Sequence, residues 1–104
     1  MAEATRIMQK YPNSVPVIIS ASTPIGKRLD KRKFLCPRDI TFGQFLTVVR
    51  SRLRLTSEDA LFGFLTNNKI PNIGDCIGTL YDLHHNNDRM LHLSITEETT
   101  FGHN

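Results

Sequence analysis

The run T-F-G-Q-F-L-T-V-V-R-S-R-L at residues 41–53 restricts this chain more than any other stretch. T-F-G-Q has the form of a capping box. The Thr41 hydroxyl faces the third amide of a helix, and the Gln44 side chain reaches back to the Thr41 amide. Phe42, Phe45, Leu46, Val49 and Leu53 then recur at i, i+3, i+4 and i+7, which puts them on one helical face, while Gln44, Thr47, Arg50 and Arg54 fall elsewhere. A helix with one apolar face has to be covered, and what surrounds it is strand-like.

V-P-V-I-I-S-A at 15–21 is β-branched and apolar, and Pro16 within it indicates either an edge position or the first residues of the strand. T-P-I-G at 23–26 reads as a turn. K-F-L-C at 33–36 is a second short strand, stopped by Pro37 and pairing antiparallel with the first. L-F-G-F-L at 61–65 is a third. Ile73, Cys76, Ile77 and Leu80 form a shorter helical stripe ending around His84, and N-N-D at 86–88 is turn chemistry. M-L-H-L-S-I at 90–95 alternates strictly, with Leu91, Leu93 and Ile95 on one face and Met90, His92 and Ser94 on the other. The expected order is strand, strand, helix, strand, helix, strand. This is an α+β chain with the pattern of a ubiquitin-like β-grasp: a four-stranded mixed sheet packed on the main helix.

At 104 residues the chain fits one domain with one modest core. Its 13 Lys and Arg against 10 Asp and Glu give a formal charge of +3, a mild bias toward acidic partners. The cations gather in K-R-L-D-K-R-K at 27–33 and R-S-R-L-R at 50–54, which read first as solvated surface. Nucleic acid is not expected as a partner. Cys36 and Cys76 have neither CxxC nor zinc-knuckle spacing and read as small buried hydrophobes of a reducing compartment. The first ten residues lack the apolar run of a signal peptide, and no stretch approaches the roughly 20 residues that span a bilayer. A soluble, cytosolic chain is expected.

Catalytic chemistry is poorly represented, and the chain is not expected to be an enzyme. No dinucleotide fingerprint, P-loop or nucleophile elbow occurs. Gly74 and Gly78 lack phosphate-loop spacing, and Gly63 stands alone in a strand. His84 and His85 are adjacent, point apart on a helix and lack further ligands nearby, so neither metal nor cofactor is expected.

The ending E-E-T-T-F-G-H-N at 97–104 raises a separate question. Gly102 caps no helix and turns no hairpin, since only two residues follow it. Either the tail is frayed sequence or Gly102 is present for its own chemistry.

Four stretches together resemble the ubiquitin-like modifiers of autophagy, the family that includes GABARAP and microtubule-associated light chain 3. They are Y-P-N-S-V-P-V-I at 11–18, D-K-R-K-F-L-C-P at 30–37, T-F-G-Q-F-L at 41–46 and E-T-T-F-G at 98–102. The resemblance implies a domain over 15–102, a short helical extension over 1–14 and a removable tail at 103–104. It implies that an autophagy cysteine protease cuts after Gly102. Ubiquitin-like activating and conjugating enzymes would then join the Gly102 carboxylate to the amine of phosphatidylethanolamine, with Phe101 as the neighbouring anchor. A glycine without Cβ threads a narrow enzyme channel, and two acyl chains meet the two-signal condition for stable anchoring. The chain would move from cytoplasm to the autophagosomal membrane on lipidation.

The resemblance also implies capture of aromatic-x-x-aliphatic motifs carried by cargo receptors and adaptors, the peptide adding a strand beside residues 33–36. The aromatic pocket would be lined by Ile7, Pro16, Ile18, Lys33, Leu35 and Met90. The aliphatic pocket would be formed by Phe34, Cys36, Pro37, Ile40, Phe45, Val48, Val49 and Arg52. Lys33, Phe34, Leu35 and Arg52 are expected as surface contacts ahead of Val48 and Val49. Lys31, Arg32 and Lys33 would form a basic rim for acidic residues preceding the motif.

Three departures stand out. The family usually carries two helices before the first strand, whereas the fourteen residues before Val15 suffice for one short helix. Ser14 replaces a typical arginine and Met90 a frequent phenylalanine, and methionine makes the aromatic pocket more adaptable. The alternative reading is a noncovalent ubiquitin-like interaction module, or a modifier joined to a protein.

Overall fold

The computed structural model describes residues 2–21, 29–56 and 58–97. Helix α2 (Phe42–Leu53) begins where the capping box places it. The Gln44 amide donates to Thr41 Oγ1 at 3.1 Å and the Thr41 amide to Gln44 Oε1 at 2.8 Å. This reciprocal cap satisfies two donors that would otherwise be orphaned, and losing such a cap costs roughly 0.5–2 kcal/mol. The helix ends at Arg54, whose left-handed φ of 58° lets its N–H turn back to the carbonyls of Arg50 and Ser51.

The other elements are α1 (Ala2–Lys10), β1 (Ser14–Ala21), β2 (Lys33–Pro37), β3 (Phe62–Leu65), α3 (Ile77–His84) and β4 (Leu91–Thr96). The sheet runs β2-β1-β4-β3. β1 pairs antiparallel with β2 and parallel with β4, and β3 pairs antiparallel with β4. The first and last strands are therefore adjacent at the centre, as a ubiquitin-like fold requires.

The alternation read from sequence decides what faces α2. Val15, Val17 and Ile19 of β1, and Leu91, Leu93 and Ile95 of β4, are buried together with Phe42, Phe45, Val49 and Leu53. Val49 and Leu53 are fully buried, each burial contributing roughly 1.5–3 kcal/mol. Gly63 of β3 lets α2 approach closely: a Cβ there would stand 2.7 Å from Phe42 Cζ. On the opposite face of the sheet α1 lies against β1, with Ala4 fully buried.

Several expectations need correction. Of the two positions open to Pro16, the edge is excluded because β1 is interior and the other holds: it lies among the first residues of β1, and pairing with β4 begins only at Val17. That position keeps a residue without an N–H out of the paired part of the β4 ladder. Ile73 does not belong to the second helical stripe. It is 72 % exposed in the loop before α3, where its carbonyl accepts the Gly43 N–H. Cys76 is only half-buried, while Cys36 lies in the core. The third strand starts at Phe62, and the turn expected at 23–26 lies outside the described residues. Among the described residues no helix is long and apolar enough to cross a membrane.

Candidate functional site

β2 is an edge strand five residues long, and its burial alternates without interruption. Phe34 and Cys36 point into the core, whereas Lys33, Leu35 and Pro37 are exposed. Register with β1 sets Leu35 opposite Pro16 and Lys33 opposite Ile18. These four side chains therefore share the outer face, where α1 ends their exposure on one side. The result is a cavity of about 190 Å³ containing all six residues of the expected aromatic pocket: Ile7, Pro16, Ile18, Lys33, Leu35 and Met90. Its surface is largely apolar, with charged groups from Glu3, Lys31 and Lys33 also lining it.

Met90 is held in the cavity by the preceding turn. Its N–H donates to Asp88 Oδ1 at 3.0 Å and its carbonyl accepts the Asn86 N–H at 3.0 Å. Arg89 takes a left-handed φ of 62°, and the Tyr81 hydroxyl donates to the Arg89 carbonyl at 2.7 Å. Asp88 also contacts His92 Nε2 at 2.7 Å. Partial burial alone would push the Asp88 carboxyl up, but the hydrogen bonds from His92 and the Met90 amide outweigh it and hold the group below its ordinary value.

The expected aliphatic set divides in two. Phe34, Cys36, Phe45 and Val49 are core residues, and the Phe34 and Phe45 rings meet edge to face at 5.6 Å. Pro37, Val48 and Arg52 are exposed and Ile40 is half-buried, at the surface formed by β2, the following turn and α2. Two expectations reverse here. Phe34 is buried rather than a surface contact, its ring covered by the Lys31 ammonium at 5.3 Å and the Arg52 guanidinium at 5.5 Å. Val48, expected to contribute less, is 46 % exposed. Arg52 pairs with Asp30 at 3.5 Å.

Of the basic rim, Lys31 lines the cavity and Arg32 is exposed on the segment entering β2, where its carbonyl accepts the Ile19 N–H. Lys33 already has an internal partner, the Glu3 carboxylate at 3.1 Å. Sequence reasoning missed Glu3, although a signal existed. Glu3 and Ile7 are four residues apart on α1, so a helix that places Ile7 in the pocket also places Glu3 at its mouth.

Burial pushes the Cys36 thiol up to about 12, only partly opposed by Lys31, so the thiolate is scarce at neutral pH. His85 stacks on Tyr81 at 4.7 Å and its Nδ1 meets the Tyr81 carbonyl. Among the described residues no three His, Cys, Asp or Glu side chains come together to hold a metal. Phe101 and Gly102 lie outside the described residues.

Comparison with known proteins agrees with this architecture. The family described as autophagy protein Atg8, ubiquitin like, matches residues 1–102. Autophagy-related protein 8b of Arabidopsis thaliana is 42 % identical over 103 residues, covering 98 % of this chain and 84 % of that protein. The crystal structure of Trypanosoma brucei ATG8 superposes with a TM-score of 0.85 at 33 % identity, covering 97 % of this chain and 87 % of that one. The chain accordingly belongs to the Atg8 family of ubiquitin-like autophagy proteins.

Proposed function

We propose that this chain is a lipid-conjugated autophagy modifier that recruits partners through aromatic-x-x-aliphatic motifs and has no catalysis of its own. The observation that carries the reading is the apolar cavity beside the outer edge of β2. A peptide extending the sheet along β2 completes its main-chain hydrogen bonds, and residues three apart in it point to opposite faces of the sheet. Its aromatic residue enters the cavity among Ile7, Pro16, Ile18, Leu35 and Met90. Its aliphatic residue rests on Pro37, Ile40 and Val48. Burying the two contributes roughly 3–6 kcal/mol. Strand hydrogen bonds add to this while peptide ordering subtracts, for an affinity around micromolar. Cargo receptors and adaptors with such motifs are the partners.

The domain spans 15–102, preceded by the 1–14 helical segment and followed by a tail at 103–104. A cysteine protease releases the tail, activating and conjugating enzymes form the amide between Gly102 and phosphatidylethanolamine, and the cytoplasmic protein passes to the autophagosomal membrane.

The test is the intact mass of the chain in cytosol of its own cells, supplied with ATP and phosphatidylethanolamine liposomes. Loss of two residues and then a lipid-sized gain is expected, and Gly102→Ala should abolish the gain. An unchanged wild-type mass, in an extract that processes a known relative, refutes conjugation and leaves the groove to a noncovalent module.

A further inference from the structure

The turn between β2 and α2 is bonded to the start of α3 in a reciprocal manner. Ile77 and Gly78 donate their N–H groups to the carbonyls of Ile40 at 2.8 Å and Arg38 at 2.9 Å. In return, Phe42 and Gly43 donate to the carbonyls of Asp75 at 2.7 Å and Ile73 at 2.9 Å. Thr41 and Cys76 form an isolated antiparallel bridge between the two segments. Each helix thus has its first amides satisfied by the loop that precedes the other.

Arg38 fastens this junction. Its N–H donates to the Asn13 carbonyl at 2.9 Å, and its guanidinium reaches both the Gly78 carbonyl at 3.3 Å and the Asp82 carboxylate. Gly78 leaves the space it occupies. A Cβ on Gly78 would lie 2.7 Å from Arg38 Cβ and 3.0 Å from both its Nε and its carbonyl oxygen. Residues 37–40, which supply Pro37 and Ile40 to the groove, are held through Arg38 against α3 and against the residues preceding β1.

We propose that Arg38, with Asp82 as its counter-charge, is the positioning residue for the aliphatic half of the groove. The inference rests on the peptide-groove reading above. Fixing the 37–40 turn before binding lowers the ordering cost that a partner's aliphatic residue would otherwise meet. The Arg38 and Asp82 side chains are 37 % and 57 % exposed, so their ion pair adds little to global stability. A role in the groove is therefore separable from a role in folding.

The experiment measures affinity for two peptides, one with an aromatic-x-x-aliphatic motif and one with the aliphatic residue replaced by alanine. Wild type, R38A, D82A and the double variant are compared, each with its thermal midpoint. Each single variant should bind the full motif about fivefold more weakly, and the double variant no more weakly than either single one, as coupled residues behave. Binding of the alanine peptide should change by less than about twofold, since it does not use the turn. Equal losses for both peptides, or additive losses in the double variant, overturn the positioning role while leaving the groove intact. A wild-type protein that binds neither peptide overturns the groove reading, and this inference with it.

Discussion

Lys33 should be more available to a partner when Glu3 is neutralised. The two charges lie 3.1 Å apart with side chains 63 % and 50 % exposed. Coulomb's law gives about 1.3 kcal/mol at that separation in water, and exposed pairs measured by mutation yield about 0.2–1 kcal/mol after side-chain entropy is counted. A peptide carboxylate approaching Lys33 has to compete with that contact. Glu3→Gln removes the competitor and should strengthen binding of a motif preceded by acidic residues by at most about fivefold, mainly through faster association. The substitution also removes an acid from the first turn of α1, at a cost of about 0.3–1 kcal/mol to the helix that walls the pocket. That loss acts alike on every peptide. The informative quantity is therefore a ratio, obtained from association kinetics of two peptides that differ only in Asp or Asn before the aromatic residue. The acidic-to-neutral ratio should rise in the variant and fall back in about 1 M salt, where the screening length is near 3 Å. An equal gain for both peptides, or a gain that survives high salt, refutes the competition.

Two further outcomes follow from packing and titration. Gly63→Ala places a methyl 2.7 Å from Phe42 Cζ inside the core, so the protein should lose roughly 1–3 kcal/mol, a fall of about 4–8 °C in thermal midpoint per kcal/mol. Adding Phe42→Leu to that variant should recover part of the loss, although Phe42→Leu alone destabilises; strictly additive effects would contradict the contact. Asp88 is held below its ordinary value in the fold, so its stabilisation is present above the unfolded value and is lost as pH falls through the folded one. Thermal midpoints of wild type and Asp88→Asn should differ near pH 7, and the gap should narrow as acid protonates the carboxylate; a gap that does not narrow with falling pH contradicts the role given to the carboxylate.

Features written in adjacent residues were legible in the sequence. The capping box, the α2 stripe and the alternation of β4 each depend on local spacing, and together they fix the layer architecture. The six aromatic-pocket residues came from resemblance; the β1 and β2 register brings Pro16, Ile18, Lys33 and Leu35 to one face, and Ile7 of α1 and Met90 before β4 join them at the cavity. What escaped depends on distant partners. Pro16 could not be placed at an edge or inside until β4, some 75 residues later, took its place beside β1. Ile73 fits a helical period, yet its carbonyl is engaged by Gly43 of another element. The burial of Phe34 and the exposure of Val48 follow from which face of β2 meets α2, a matter of orientation that neither segment states alone. The Glu3–Lys33 contact joins residues thirty positions apart.

The edge of β2 connects these observations. An unpaired edge invites a strand from any other chain, including a second copy, and proteins blunt such edges with cations, prolines and short length. β2 has all three: Lys33 at its start with Lys31 and Arg32 just before it, Pro37 at its end, and five residues in all. Two such edges brought together in parallel would oppose like charge to like charge, and in antiparallel each basic end would meet the other's Pro37. A peptide with acidic residues before its aromatic anchor meets the opposite situation, since the same cations attract it and the adjoining cavity accepts its side chain. Resistance to self-pairing and selection of an acidic, aromatic-bearing partner therefore arise from one set of residues. Replacing the cations at 31–33 by neutral side chains would weaken both properties together.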